Sequence, residues 1–303
     1  MNDRARIAID DGIAYVAWLD GGGERSVRLA GTMLREVRRG RASRPVVGDW
    51  VAVSADGVVV EVEPRRTRLA RKAAGLADVE QVIAANVDVA FVATAAGGDV
   101  NERRLERYLA VIHDGGVEPV VLLTKSDACA DVAAETARVH AVAPGVPVLA
   151  VSGQTGDGVD AVAARIAPGR VAVLIGSSGV GKSTLVNRLL GEARQRIGGL
   201  RDDGKGRHTT TRREIVTLPN GGLLVDMPGM RELGLFDAEE GLGDAFPEVT
   251  ARAAGCRFRD CKHASEPGCA VHAALDAGEL ARDRFESWQK LRDELAARGK
   301  RRR

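Results

Sequence analysis

The stretch "VAVLIGSSGVGKSTLVNRLL" (171–190) constrains the fold more than any other. An apolar β-branched run leads into Gly176-x4-Gly181-Lys182-Ser183, and a helical pattern follows directly. Glycine tolerates backbone conformations that other residues avoid, so such a loop can curl its N–H groups around phosphate oxygens. The N-terminus of the following helix adds partial positive charge. Gly176, Ser177, Ser178, Gly179, Val180, Gly181, Lys182, Ser183 and Thr184 are therefore the expected phosphate cradle. Lys182 would reach the β- and γ-phosphates, and the Ser183 hydroxyl would ligate Mg²⁺. A loop of this kind needs a strand buried in a parallel α/β sheet before it and a helix after it.

A second motif precedes the first. "VVLLTKSD" (120–127) ends an apolar run, where α/β sheets bind ligands. The Asp127 carboxylate can accept two hydrogen bonds, from the ring N–H and the exocyclic amine of guanine; adenine offers the wrong donors. Lys125 would lie along the base, with Thr124 and Ser126 flanking it. "VSGQTGDGVD" (151–160) follows the next apolar run and brings Ser152 and Gly153 near the base. After the phosphate loop come "KGRHTTT" (205–211) and "LLVDMPGM" (223–230). Asp226 would hold Mg²⁺ through water, and Gly229 N–H would sense the γ-phosphate. Thr210, among the three threonines 209–211, is the expected further hydroxyl in the metal shell. The order is base reading, base support, phosphate loop, first switch, second switch. That order describes a GTP-binding domain cut and rejoined, a circular permutation, which close surface termini make feasible.

Around this domain the texture differs. Residues 1–70 alternate apolar and polar positions between D-G and G-G turns and show no convincing helix, which predicts a small β-barrel. "REVRRGRASR" (35–44) reads as a loop with five Arg against one Glu, either a solvated surface or an oligonucleotide contact. From about residue 86, apolar runs alternate with helical patterns, one carrying Leu105, Tyr108, Leu109 and Ile112 on a single face. Beyond about 238 the pattern is helical and ends in "RDRFESWQKLRDELAARGKRRR". A net charge of +2 over 303 residues excludes a global polycation, so any RNA-binding surface must be local. No apolar run approaches a membrane span, and "MNDRARIAIDDG" does not resemble a signal peptide, so we read a soluble cytoplasmic protein.

Cys256, Cys261 and Cys269 crowd into fourteen residues with His263. In a reducing compartment this argues for metal, and Cys3His is an accepted tetrahedral zinc set; buried or redox-active cysteines are the alternative. Four protein ligands would close the shell and make the zinc structural. His272 reads as an ordinary helix residue.

The permuted order, "QVIAANVD" (81–88), "NERRLERYL" (101–109), "GSSGVGKST", "GRHTTT", "DMPGMRELGL" and the terminal Cys/His cluster together resemble the ribosome small-subunit-dependent GTPase A (RsgA) family over nearly the whole chain. The resemblance implies a multidomain protein: an N-terminal OB-fold β-barrel at 1–72 that binds RNA or the ribosome, a permuted P-loop α/β GTPase domain at 73–238, and a helical zinc-binding domain at 239–303. It implies GTP hydrolysis to GDP and phosphate during late maturation of the small ribosomal subunit, with the subunit and its rRNA as partners and activator. We expect a monomer that uses one Zn²⁺, and Mg²⁺ with GTP. The alternatives are a permuted GTPase acting on another RNA particle, or an RNA-binding chaperone with a vestigial nucleotide site.

Many GTPases orient the attacking water with Gln directly after the second-switch Gly. Here that position is Met230, which cannot hydrogen-bond to water. His208, in "GRHTTT", is the best candidate to take the role, alongside Lys182 and Gly229. The family resemblance points to the same histidine.

Overall fold

A computed structural model describes residues 2–12, 14–40, 43–72, 80–98, 100–191, 213–226, 239–264 and 266–299. The N-terminal strands are β1 (Asp3–Asp10), β2 (Tyr15–Leu19), β3 (Glu24–Leu29), β4 (Trp50–Val53) and β5 (Val58–Val62). They run in the order β1-β2-β3-β5-β4, and β4 pairs back onto β1 to close a five-stranded barrel. Alternation puts Ala5, Ile7, Tyr15, Ala17, Val27, Val51, Val53 and Val59 in one buried cluster inside it.

A helix, α1 (Gly31–Arg38), stands in the stretch read as having no helix and takes in the first four residues, 35–38, of the segment read as an Arg-rich loop. Its polar residues face outward and none is fully buried, but Met33 and Leu34 pack against the barrel interior. Three apolar residues, Met33, Leu34 and Val37, in a run of eight are too few to separate this helix from a loop by pattern alone.

The hairpin β6 (Arg68–Lys72) and β7 (Glu80–Ala85) links the barrel to the central sheet. Leu69, Ile83 and Ala84 are buried with the residues of that sheet and its helices, not with the barrel interior. The sheet contains β8 (Val89–Ala95), β9 (Glu118–Thr124), β10 (Val148–Val151), β11 (Val171–Gly176), β12 (Arg213–Thr217) and β13 (Leu223–Asp226). Its order is β10-β9-β8-β11-β13-β12, parallel except for β12. Both faces are covered, which explains the near-continuous apolar runs. On one face lie α2 (Glu102–Asp114) and α3 (Val132–Val142); on the other lie α4 (Val159–Arg165) and α5 (Lys182–Leu190).

The barrel is joined to the edge of this sheet. β1 pairs antiparallel with β12 through Ile9↔Glu214 and Asp10↔Arg213, so hydrogen bonding runs on from one unit into the other. Gly48 meets Ala85 so closely that a Cβ there would lie 2.0 Å from the Ala85 carbonyl oxygen. Beside it, Asn86 adopts φ +53°, its amide donates to Gly48 O (3.0 Å), and its side-chain oxygen accepts from Arg66 N–H (3.0 Å).

The C-terminal helices are α6 (Glu239–Ala245), α7 (Pro247–Ala253), α8 (Ala270–Asp276) and α9 (Arg282–Gly299). Leu242, Phe246, Val249, Phe285, Leu291 and Leu295 share one core with Leu105, Tyr108 and Leu109 of α2. α6 crosses α2 at Gly241, where a Cβ would stand 2.0 Å from Ala110 O. Arg284, buried, donates to Glu106 Oε1 (2.6 Å) and Glu248 Oε1 (2.7 Å). No described helix is long and apolar enough to cross a membrane.

Candidate functional site

The carboxyl ends of β9, β10 and β11 meet at one cleft of about 170 Å³. It is lined by Thr124, Lys125, Asp127, Ala128, Val151, Gly153, Gln154, Gly181, Thr184 and Leu185. Parallel pairing puts Thr124 beside Val151, so the two base-side loops leave the sheet together. Lys125 turns the chain with φ +57°, and Ser126–Ala128 form a single 3-10 turn. That turn leaves Asp127 exposed at the cleft, where its carboxylate can meet two donors on one edge of a base. Ser126 is half-buried in the same turn.

Thr124 is buried, and its hydroxyl donates to Val180 O at 2.5 Å, with Thr94 O at 3.2 Å. One hydroxyl proton thereby ties the base-side strand to the phosphate loop. Ser152 is fully buried, and its hydroxyl accepts from the N–H groups of Gln154 (3.2 Å) and Thr155 (3.0 Å), shaping the second loop. Gly153 lies against the first turn of α5: a Cβ there would be 3.1 Å from both Leu185 N and Thr184 Cγ2. Arg188 of α5 donates to Gln154 O (2.7 Å) and braces the loop from the other side.

The phosphate loop has the predicted strand–loop–helix form between β11 and α5. Gly176 has φ +146° and sits where a Cβ would be 2.4 Å from Ala93 O; Gly179 and Gly181 have φ +76° and +101°. These positions need glycine for conformation, and the first also for close approach. Val180 is buried and anchors the loop in the core under α5. Ser178, Gly179, Ser183 and Thr184 are exposed, and Ser177 is half-exposed. The Lys182 ammonium reaches back to donate to Gly176 O (2.6 Å) and to Ser177 O, so it lies across the loop it would serve.

Asp226 ends β13, and Val225 pairs with Val173 of β11. Asp226 therefore stands at the same end of the sheet as the phosphate loop that leaves β11. His208, Thr210 and Gly229 lie outside the described residues. Sequence reading missed Ala128, Val151, Gln154 and Leu185 as lining groups; only their adjacency to the motifs could have signalled them.

Away from the cleft, the side chains of Cys256, Cys261, His263 and Cys269 converge, their ligand atoms all within 4.8 Å of one another. His263 Nδ1 is 3.5 Å from Cys256 Sγ and 3.4 Å from Cys269 Sγ, and those sulfurs are 3.9 Å apart. Tetrahedral zinc requires about 3.7 Å between sulfurs and about 3.5 Å between sulfur and nitrogen, which Cys256, His263 and Cys269 match, with Cys261 beside them as the fourth candidate ligand. Burial holds the His263 imidazole below its ordinary value, in the neutral form that ligates metal. The connecting loop is shaped by Glu266, whose carboxylate accepts from Lys262 N–H (2.9 Å) and Ala264 N–H (2.8 Å). His272 does more than occupy a helix: its Nε2 lies 3.1 Å from His263 O and its ring packs edge-on to Phe285.

A phosphate-loop sheet whose base-side strands precede the loop in the chain defines a circularly permuted GTPase, a GTP-hydrolysing enzyme. The sequence model of the family described as RsgA GTPase matches residues 62–236, and the chain belongs to that family. It is 47% identical over 307 residues to a small ribosomal subunit biogenesis GTPase RsgA of Opitutus terrae, covering 96% of this chain and 83% of the relative. A protein of the same name from Streptomyces coelicolor is 49% identical over 80% of this chain and 68% of its own length. Among solved structures, YjeQ from Thermotoga maritima superposes with TM-score 0.73 at 25% identity, over 98% of this chain and 99% of that one. YloQ, described as a circularly permuted GTPase, gives 0.67 at 25% identity over 98% and 96%.

Proposed function

We propose that this GTPase acts in late maturation of the small ribosomal subunit and that the subunit stimulates its turnover. The carrying observation is the single cleft that joins the base-side loops to the phosphate loop, in a chain so similar to proteins named for small-subunit biogenesis. In this reading Asp127 selects guanine, Lys125 lies along the base, and Thr124, Ser126, Ser152 and Gly153 hold the base-side loops in register. Residues Gly176 to Thr184 cradle the phosphates. Lys182 leaves the loop carbonyls for the β- and γ-phosphates when nucleotide binds. Ser183, Asp226 and Thr210 would hold Mg²⁺, which would neutralise phosphate charge in the transition state.

Hydrolysis then needs a water held in line with the γ-phosphate. His208 carries that role, and Gly229 N–H registers the γ-phosphate. His208 belongs to a Gly-containing segment, "GKGRHTTT", which a partner must position. Positioning and electrostatics together supply rate factors of one or more orders of magnitude.

The chain divides, in this proposal, into an OB-fold RNA-binding barrel at 1–72, the GTPase domain at 73–238 and a helical zinc-binding domain at 239–303. The strand order β1-β2-β3-β5-β4, closed on β1, supports the OB-fold reading. One structural Zn²⁺ would be held by Cys256, Cys261, His263 and Cys269. The protein works as a cytoplasmic monomer whose partners are GTP, GDP, the small subunit and its rRNA.

The test is GTP turnover measured alone, with purified small subunits and with large subunits. Stimulation by small subunits of tenfold or more is expected, and equal rates in all three mixtures would overturn the proposal. His208→Ala should remove most of that stimulation while nucleotide affinity stays within about twofold; a mutant stimulated like the parent passes the role to another group.

A further inference from the structure

Phe258 is the exception among the described aromatic residues. Tyr15, Phe91, Tyr108, Phe246 and Phe285 are buried, and Trp18, Trp50 and Trp288 are partly covered. Phe258 is 42% exposed, one of two large apolar residues so placed among the described residues. It does not sit in a slack segment. It lies in the four-residue span between Cys256 and Cys261, two members of the converging Cys3His cluster, and Cys261 N–H donates to Phe258 O at 3.3 Å.

Its neighbours are cationic. Arg257 is braced by its backbone, whose N–H donates to Gly268 O (3.1 Å), and its guanidinium carbon is 5.5 Å from the Phe258 ring centroid. A side chain at Gly268 would crowd it, with a Cβ 3.1 Å from Arg257 Cβ. Arg257, Arg259 and Lys262 are all exposed; of the two neighbouring carboxylates, Asp260 is exposed and Glu266 is engaged by the Lys262 and Ala264 N–H groups. A ring held outward on a rigid loop among three cations matches a nucleobase face with phosphates on either side. An apolar protein partner would not call for the cations.

We propose that the loop from Arg257 to Lys262 is a base-stacking platform for single-stranded RNA, with Phe258 as the stacking face and Arg257, Arg259 and Lys262 as backbone contacts. The platform names an RNA contact outside the nucleotide cleft and outside the barrel. It rests on the small-subunit reading only for where such RNA would be met.

The experiment uses the full chain and a mixed-sequence 12-nucleotide RNA carrying 5-iodouridine and a fluorescent label. Photocrosslinking should mark the peptide containing Phe258. Phe258→Ala should weaken RNA binding about tenfold, as loss of one base–aromatic stack does, with the salt dependence unchanged. Phe258→Tyr should stay within about twofold of the parent. Arg257→Ala/Arg259→Ala should flatten the dependence of log affinity on log salt by about 1.4, two single-strand phosphate contacts. Crosslinks confined to the barrel, or Phe258→Ala binding RNA like the parent, would overturn the platform. If Phe258→Ala keeps RNA affinity but loses small-subunit association, the ring meets a protein and the RNA assignment falls. If RNA stacks at Phe258 while small subunits neither bind nor stimulate the parent chain, the platform stands and the proposed function fails.

Discussion

At the residue scale, the cleft separates groups that would touch nucleotide from groups that hold those groups in place. Asp127 is exposed on its 3-10 turn and ready to accept hydrogen bonds. Asp127→Asn exchanges an acceptor for a donor, so GTP affinity should fall by one to two orders of magnitude. Xanthine nucleotides, which carry an oxygen in place of guanine's amine, should then compete. Competition binding with GTP, XTP and ATP reads this directly, and unchanged GTP affinity would remove Asp127 as the base reader. Thr124 belongs to the second group. Its buried hydroxyl serves Val180 O, so it transmits position between base and phosphate sides.

At the element scale, two packing arrangements carry consequences. The first is the loop between α7 and α8, where Cys256, Cys261, His263 and Cys269 converge and Phe258 is exposed. Chelation should therefore unfold this region before the central sheet, because the binding energy of such sites is folding energy. Metal analysis should find one zinc per chain, and helical circular dichroism should drop with chelator while the nucleotide site persists. An unchanged helical signal in metal-free protein would refute a structural role. The second is α2 against α6. His113 on α2 is half-buried, and burial lowers its affinity for protons, an effect that Asp244 only partly offsets. The unfolded chain then binds more protons than the folded one. Stability from this histidine is full above its ordinary value near 6.5 and is lost as pH falls through the lower folded value. Melting temperature should fall over that window, and His113→Gln should flatten the fall.

At the scale of the whole molecule, the barrel, sheet and C-terminal helices are joined by built contacts, not by linkers alone. β1–β12 pairing and the Gly48–Asn86 contact join the barrel, while Arg284 with Glu106 and Glu248 joins the C-terminal helices to α2. Burial pushes the Glu106 carboxyl up, against the opposing pull of Arg284, so the pair is held under desolvation. Arg284→Met should cost about 3–5 kcal/mol by leaving a buried carboxylate uncompensated. Arg284→Met/Glu106→Leu should recover much of that loss. Urea unfolding midpoints of the two variants check the difference.

The sequence by itself determined the order of the motifs, the strand–loop–helix around Gly176–Ser183 and the grouping of Cys256, Cys261, His263 and Cys269. Each of these is local: a glycine demanded by a loop, an apolar run demanded by a buried strand, ligands within fourteen residues. Tertiary structure alone decided the rest, because those contacts join residues far apart in the chain and leave no periodic trace. α1 escaped the pattern because only Met33 and Leu34 hold it to the barrel. The family stretches 81–88 and 101–109 gain their physical meaning only in three dimensions. Asn86 bonds to a backbone carbonyl 38 residues away, and Glu106 meets an arginine 178 residues away. Hydrophobic periodicity says which face of an element is buried; it does not say which distant element covers that face.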